Sequence, residues 1–373
     1  MPAPLTPRVM GRLRLANQGL LSTGFPTVPD AVRWMTAMQA QDLGAALWAV
    51  GQRVPGTAAS DVRAALDAGT VVRSWPMRGT LHLLAPEDLR WILGITSGRL
   101  MNMVAGRHRE LAITPDDIAH CRDIAFKTTE IRKAEGAPGA TREQLFQAFE
   151  EAGQLTKAQR GIHLLGSLCQ RAWLVQGPMA VSTGKVGVQQ LFVPFDEWIP
   201  ESRDLGRAEG IAEMLFRYVR SRGPATVKDF SWWSQIPLTE ARAALKEVQD
   251  RLVELQYGGN SYWLSPESAG MLDDGVPGSR SLLALPGFDE YLLGYQDRSL
   301  VLAPEHAELV VPGKNGVFKR IIVAGGEVIG TWTRSANGKT ISVAPEPFVG
   351  TLGPAAERSF QTQGRSYLKF MAG

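Results

Sequence analysis

Apolar residues recur at three- and four-residue spacing in three successive blocks of this chain, and each block closes on a pair of short apolar or alternating runs. The first block predicts a helix over residues 7–18 and a second opened by Pro29-Asp30, where an acidic first turn suits the helix dipole. A third helix is expected over 58–68, with Ser60-Asp61 able to cap it, and residues 70–84 read as two short strands around a Pro-containing turn. The second block predicts a helix over 114–133 and a break at Gly136-Ala137-Pro138-Gly139. A capping pattern follows at Thr141-Arg142-Glu143-Gln144, ahead of Leu145, Phe146 and Phe149. That block ends with a helix over 157–171 and strands at 173–175 and 190–193. The third block predicts helices over 207–220 and 239–251, separated by Gly223-Pro224 and the run to Phe230, then strands at 252–255 and 262–264.

Helix–helix–helix–hairpin repeated three times, with starts roughly 80–110 residues apart, describes tandem winged-helix modules. From residue 281 onward the pattern turns to short β runs joined by glycines, which predicts a small β-barrel or sheet domain. Lys314-Asn315-Gly316 reads as a hairpin turn there, with Lys319 and Arg320 as basic flanks. The fold class expected is α+β, with modules at 1–110, 111–205 and 206–280 and a β-barrel-like domain at 281–373.

Composition narrows the possibilities. With 373 residues the chain exceeds one ordinary core. Its apolar fraction of 44% and charged fraction of 21% are those of a soluble globular protein. No apolar run is long enough to span a membrane, and residues 1–8 lack the apolar segment of a signal peptide, so a cytoplasmic protein is expected. Cys121 and Cys169 are far apart, and the five histidines show no HExxH or H-x-E spacing, which disfavours a metal enzyme. The net charge of +3 is uneven: residues 1–110 hold twelve Arg, no Lys and seven acidic residues, or +5. That bias suits an anionic partner, but on charge alone a solvated Arg-rich surface is the better reading.

The candidate chemistry lies at Gln39-Ala40-Gln41, between two helical segments. Two primary amides can hold one water between them, and neither takes a proton at neutral pH. Such a site suits loss of an already activated leaving group, as when a cationic, alkylated purine leaves its sugar. An i, i+2 pair shares no face of a regular helix, so the motif is expected at a helix end or in a loop. Trp232, Trp233 and Phe230 read as core of the third module rather than a stacking platform. Asp289 or Glu290 is expected to pair with an Arg such as Arg298 and tie the last domain to the modules.

Three motifs together carry a resemblance. Met38-Gln39-Ala40-Gln41-Asp42, Arg73-Ser74-Trp75-Pro76-Met77-Arg78-Gly79-Thr80-Leu81-His82 and Leu285-Pro286-Gly287-Phe288-Asp289-Glu290-Tyr291-Leu292-Leu293-Gly294-Tyr295 resemble the bacterial winged-helix DNA glycosylases of the AlkZ type, over nearly the whole chain. The resemblance implies a C-shaped clamp that excises N7-alkylated purines or interstrand crosslinks from double-stranded DNA, works as a monomer and needs no cofactor. Gln41, where another branch has Asp, aligns the chain with the branch that includes self-resistance enzymes for DNA-alkylating antibiotics; Asp42 is one position out of register. On this reading Gln39 and Gln41 are catalytic, and Arg73, Arg78, His82, Lys314, Lys319 and Arg320 contact DNA. No lysine is near the Gln pair in sequence, which favours monofunctional hydrolysis over Schiff-base chemistry. The competing classes are a winged-helix regulator without activity and a protein that sequesters a drug directly.

Overall fold

Side-chain caps decide where the helices of this chain begin. The computed structural model describes residues 5–21, 24–182, 185–314, 316–337 and 340–373. Thr6, Thr27, Asp42 and Ser265 each accept a hydrogen bond from the third residue onward. Thr114, Thr141 and Thr226 form reciprocal capping boxes with Asp117, Gln144 and Asp229.

The chain divides into two compact units, one of residues 1–62 with 211–373 and one of residues 63–210. In the first unit the helices Pro7–Asn17, Val28–Met35 and Leu43–Gly51 come from the N-terminal part. The helices Val227–Ser234 and Leu238–Val248 and the hairpin Val253–Tyr257/Asn260–Leu264 follow in the C-terminal part. Phe230 and Trp233 are fully buried, as core residues should be. Last comes an antiparallel sheet in the order Thr340–Pro347, Glu327–Asn337, Ile321–Ala324, Leu282–Leu285.

That sheet is open rather than closed, which corrects the expected barrel. The reason is the helix Pro354–Ala372, which the β-rich reading overlooked. Its Tyr367 packs edge-on against Trp48 and Trp332, with ring centroids 5.4 and 5.2 Å away, so a helix covers the sheet where a barrel would have used more strands. Trp48 and Trp332 donate their indole N–H groups to the Ala284 and Leu285 carbonyls, which satisfies both amphipathic rings inside the core.

In the second unit a 25-residue helix, Pro86–Glu110, precedes the helices Pro115–Ala134, Arg142–Glu151 and Arg160–Gln170. Within this unit the strands run antiparallel in the order Thr80–Leu84, Val72–Met77, Leu174–Ser182, Lys185–Pro194. The turn of the first hairpin is not at Pro76. Pro76 lies inside its strand, where the register slips between Ser74 and Met77, an irregularity that tolerates a residue without an N–H. Arg78 and Gly79 make the turn, both at positive φ (57° and 66°), as a two-residue hairpin demands. Cys121 and Cys169 are packed in this unit's core with Leu145, Phe149 and Leu168. Burial pushes the Cys121 thiol up to about 12 and raises Cys169 as well, so both are inert apolar packing.

No helix among the described residues is long and apolar enough to cross a membrane.

Candidate active site

Gln39 is the last residue of the short strand Ala37–Gln39, and Ala40 and Gln41 lead to Asp42, the N-cap of the helix Leu43–Gly51. The motif therefore occupies a strand end and a loop, not a helix face. Asp42 Oδ1 accepts a hydrogen bond from Ala45 N at 3.1 Å, so this carboxylate starts a helix. Ala40 is buried, Gln39 half-buried and Gln41 exposed. The amide oxygen of Gln39, Oε1, is itself out of reach of solvent and accepts no hydrogen bond from the described residues. A buried acceptor left unsatisfied costs about 1–3 kcal/mol, which a water or a bound group would offset.

The chain enters this strand through a strained turn. Thr36 has φ 62° and ψ −54°, a region nearly closed to β-branched residues. Such a conformation costs on the order of 1–3 kcal/mol and persists only when its surroundings hold it. Arg222 does the holding: its Nη1 donates to the Met35 carbonyl at 2.8 Å and its Nη2 to the Ala37 carbonyl at 2.7 Å, so one guanidinium bridges both sides of Thr36. Glu290 fixes that guanidinium in turn. Its Oε2 accepts from Arg222 Nε at 3.1 Å, Arg222 Nη2 at 2.8 Å and the Trp233 indole N–H at 3.0 Å. The other oxygen, Oε1, accepts the backbone N–H of Gln39 at 3.0 Å. Both side chains are at most 2% exposed.

A second buried pair supports the first. Arg53 meets Asp289 through two parallel hydrogen bonds of 3.0 and 3.2 Å. Arg53 also donates to Gln18 Oε1, Gln18 donates to the Tyr295 phenol at 3.1 Å, and Tyr295 donates to the Arg222 carbonyl at 2.6 Å. Burial pushes the Tyr295 phenol up to about 12, so it acts as a neutral donor. The acidic pair Asp289-Glu290 is thus structural, as expected, but its partners are Arg53 and Arg222 rather than Arg298. Arg298 instead donates to the Leu292 carbonyl at 2.9 Å, with its guanidinium 4.9 Å from the rings of both Trp232 and Phe318. Closeness in sequence favoured Arg298; the pairs that form join residues 236 and 68 positions apart.

Arg73, Arg78 and His82 share one hairpin of the second unit. Arg78 Nη2 lies 2.9 Å from His82 Nε2, and His82 Nδ1 lies 2.9 Å from the Thr80 carbonyl. A carbonyl only accepts and a guanidinium only donates, so the ring must carry its proton on Nδ1 and accept at Nε2. His82 is fully buried, which makes it a brace for the half-buried Arg78. Arg73 is 7% exposed and donates to Gln176 Oε1 at 3.3 Å.

Lys319 and Arg320 belong to the first unit, as the Gln pair does. Lys319 is exposed, and its backbone N–H donates to the Val310 carbonyl; the Arg320 guanidinium lies 5.4 Å from the Trp332 ring. The hairpin expected around Lys314 is not formed by its described neighbours. A helix, Ala307–Val310, and a short helical turn, Pro312–Lys314, precede it, and the next strand starts only at Ile321. The glycine and basic flanks that suggested a hairpin serve a helix-to-strand connection; Asn315 lies outside the described residues. Sequence reasoning missed Thr36, Arg53 and Arg222. The only local signal was Arg222 itself, an arginine just ahead of Gly223-Pro224.

A sequence model of the family described as DNA glycosylase AlkZ-like matches residues 32–370. The chain belongs to this family. It is accordingly a DNA glycosylase, a hydrolase of N-glycosyl bonds. An interstrand DNA cross-link repair glycosylase of Streptomyces sahachiroi is 25% identical over 330 residues, covering 86% of this chain and 85% of that protein. The solved Streptomyces sahachiroi DNA glycosylase AlkZ shares the fold, with a TM-score of 0.79 at 22% identity over 99% of this chain and 97% of that one. The regulator reading is therefore not favoured.

Proposed function

We propose that this glycosylase releases N7-alkylated purines, including bulky guanine adducts and interstrand crosslinks, from double-stranded DNA by monofunctional hydrolysis, in repair or in self-resistance to an alkylating antibiotic. The unsatisfied, buried Gln39 Oε1 is the observation that carries this reading. It is an acceptor without a donor among the described residues, at a strand end, suited to a reaction that needs no acid. Alkylation at N7 makes the base cationic, so it departs neutral and leaves an oxocarbenium-like sugar. What the protein must add is a placed water and nearby negative dipole. Gln41, the exposed amide, presents that water to the sugar, and Gln39 Oε1, covered in the free protein, accepts from it in the DNA complex. The relative named for interstrand cross-link repair supports lesions of that class as substrates.

On this reading the three helix-rich blocks act as winged-helix modules on the duplex. Arg78, braced by His82, contacts phosphate, as do the basic residues Lys314, Lys319 and Arg320. Arg73, nearly covered, supports the hairpin that carries Arg78.

The test is base excision from duplexes bearing N7-methylguanine, a bulky N7-guanine adduct or an interstrand crosslink, followed by cleavage of abasic sites. Gln39→Ala and Gln41→Ala should each slow excision by about 10²-fold, the cost of losing one positioned group. Excision at the wild-type rate by the doubly substituted protein would end the assignment.

A further inference from the structure

We infer that Glu290 and Arg222 are positioning residues of the glycosylase: together they hold the strained turn at Thr36 and thereby aim the Gln39 amide. The inference rests on the reading of Gln39 as catalytic, and three observations carry it. Thr36 adopts a backbone conformation that it does not reach unaided. One guanidinium, Arg222, binds the carbonyls on both sides of that residue. One carboxylate, Glu290, binds that guanidinium through Oε2 and the Gln39 N–H through Oε1. The carboxylate is therefore a ruler between the turn and the motif: its two oxygens fix where the Gln39 peptide lies relative to the carbonyls two and four positions earlier. Neither side chain reaches solvent, so neither touches DNA. The anchored N–H fixes where the Gln39 backbone lies, and that backbone is the base from which the side-chain amide is presented.

The chemistry of the site explains why a carboxylate is needed. Glu290 receives donors on both oxygens, from Gln39 on one side and from Arg222 and Trp233 on the other. A Gln there has one acceptor end and one donor end, so one side would set donor against donor. Arg222 is equally specific. A Lys keeps the charge but lacks the planar fork that reaches two carbonyls and a carboxylate at once.

The experiment is single-turnover excision, enzyme in excess, on a duplex carrying N7-methylguanine or an interstrand crosslink, whichever the wild type opens. It is run with E290Q, R222K and Q39A, and with E290Q and R222K each combined with Q39A. Duplex affinity is measured in parallel. E290Q and R222K should each slow excision by about tenfold or more with duplex affinity unchanged, because a misplaced group costs rate and not binding. In the Q39A background the same substitutions should cost less than about twofold, since residues acting through one group are non-additive. R222K, which retains the buried charge pair, carries the test if E290Q does not fold. Wild-type rates in E290Q and R222K would overturn the inference, and so would an equal loss with and without Gln39. If Q39A itself excises at the wild-type rate, the reading of Gln39 fails, and the inference fails with it. If Q39A is slow and E290Q is fast, the inference alone fails.

Discussion

Replacing Thr36 by Gly should make the protein more stable, a result that contact counting would not suggest. Thr36 is fully buried, has φ 62°, and its hydroxyl Oγ1 finds no hydrogen-bond partner among the described residues. Gly removes the backbone strain, about 1–3 kcal/mol, and removes the unsatisfied buried hydroxyl, about 1–3 kcal/mol. Against this, Gly costs about 0.5–1 kcal/mol in backbone entropy, and the lost buried Cβ and methyl carbons cost about 1.5 kcal/mol. Taking the lower half of each favourable range, the balance is a gain of about 1 kcal/mol. For a unit of this size that raises Tm by about 2–4 °C. The Arg222 contacts are to the carbonyls of Met35 and Ala37 and survive the change. Reversible thermal unfolding followed by circular dichroism, wild type beside Thr36→Gly, measures it. A Tm equal to or below that of the wild type would refute the reasoning, because the turn would then carry no strain for Gly to relieve.

Asp42→Ala should lose the N-cap of the helix Leu43–Gly51, lowering stability by about 1 kcal/mol in urea unfolding while excision persists; loss of excision with the fold intact would give this carboxylate a catalytic role. Arg78→Ala should flatten the dependence of log affinity on log salt by about one unit for duplex binding; an unchanged slope would remove Arg78 from the phosphate contacts. His108 and His163, with ring centroids 5.3 Å apart, both have lowered pKa values, first of all through burial. Protonation therefore favours the unfolded chain. Stability should be fully present above the ordinary histidine range, near pH ~6.5, and should fall as pH drops through the lowered folded values. Thermal melts from neutral to mildly acid pH should show that loss, and His108→Gln with His163→Gln should flatten it; parallel curves for the two proteins would contradict the assignment.

Much of the local architecture was legible because it depends on neighbours in sequence. Thr141 and Gln144 are three residues apart, and the capping box they form needs nothing else. The position of the Gln pair off any helix followed from the geometry of an i, i+2 spacing alone. The misreadings share one cause. Pro76 and Lys314-Asn315-Gly316 looked like turns by composition, yet whether such residues turn the chain depends on what pairs with their flanks. The C-terminal β runs were real, but closure into a barrel is decided by the helix Pro354–Ala372 packing on the sheet.

The candidate site divides in the same way. By itself the sequence determined the chemistry on offer: two neutral amides, no lysine beside them, a neighbouring Asp42 one position out of register, and an acidic pair destined for arginines. Only the tertiary structure decided which arginines. Arg53 and Arg222 reach Asp289 and Glu290 across 236 and 68 residues of chain. No local rule selects such partners, because a buried charge takes whichever opposite charge the packed core brings within hydrogen-bonding distance. The strain at Thr36 belongs to the same class. A threonine carries no mark in sequence of a positive φ, and it adopts one here because the fold supplies one guanidinium that binds the carbonyls on both sides of it.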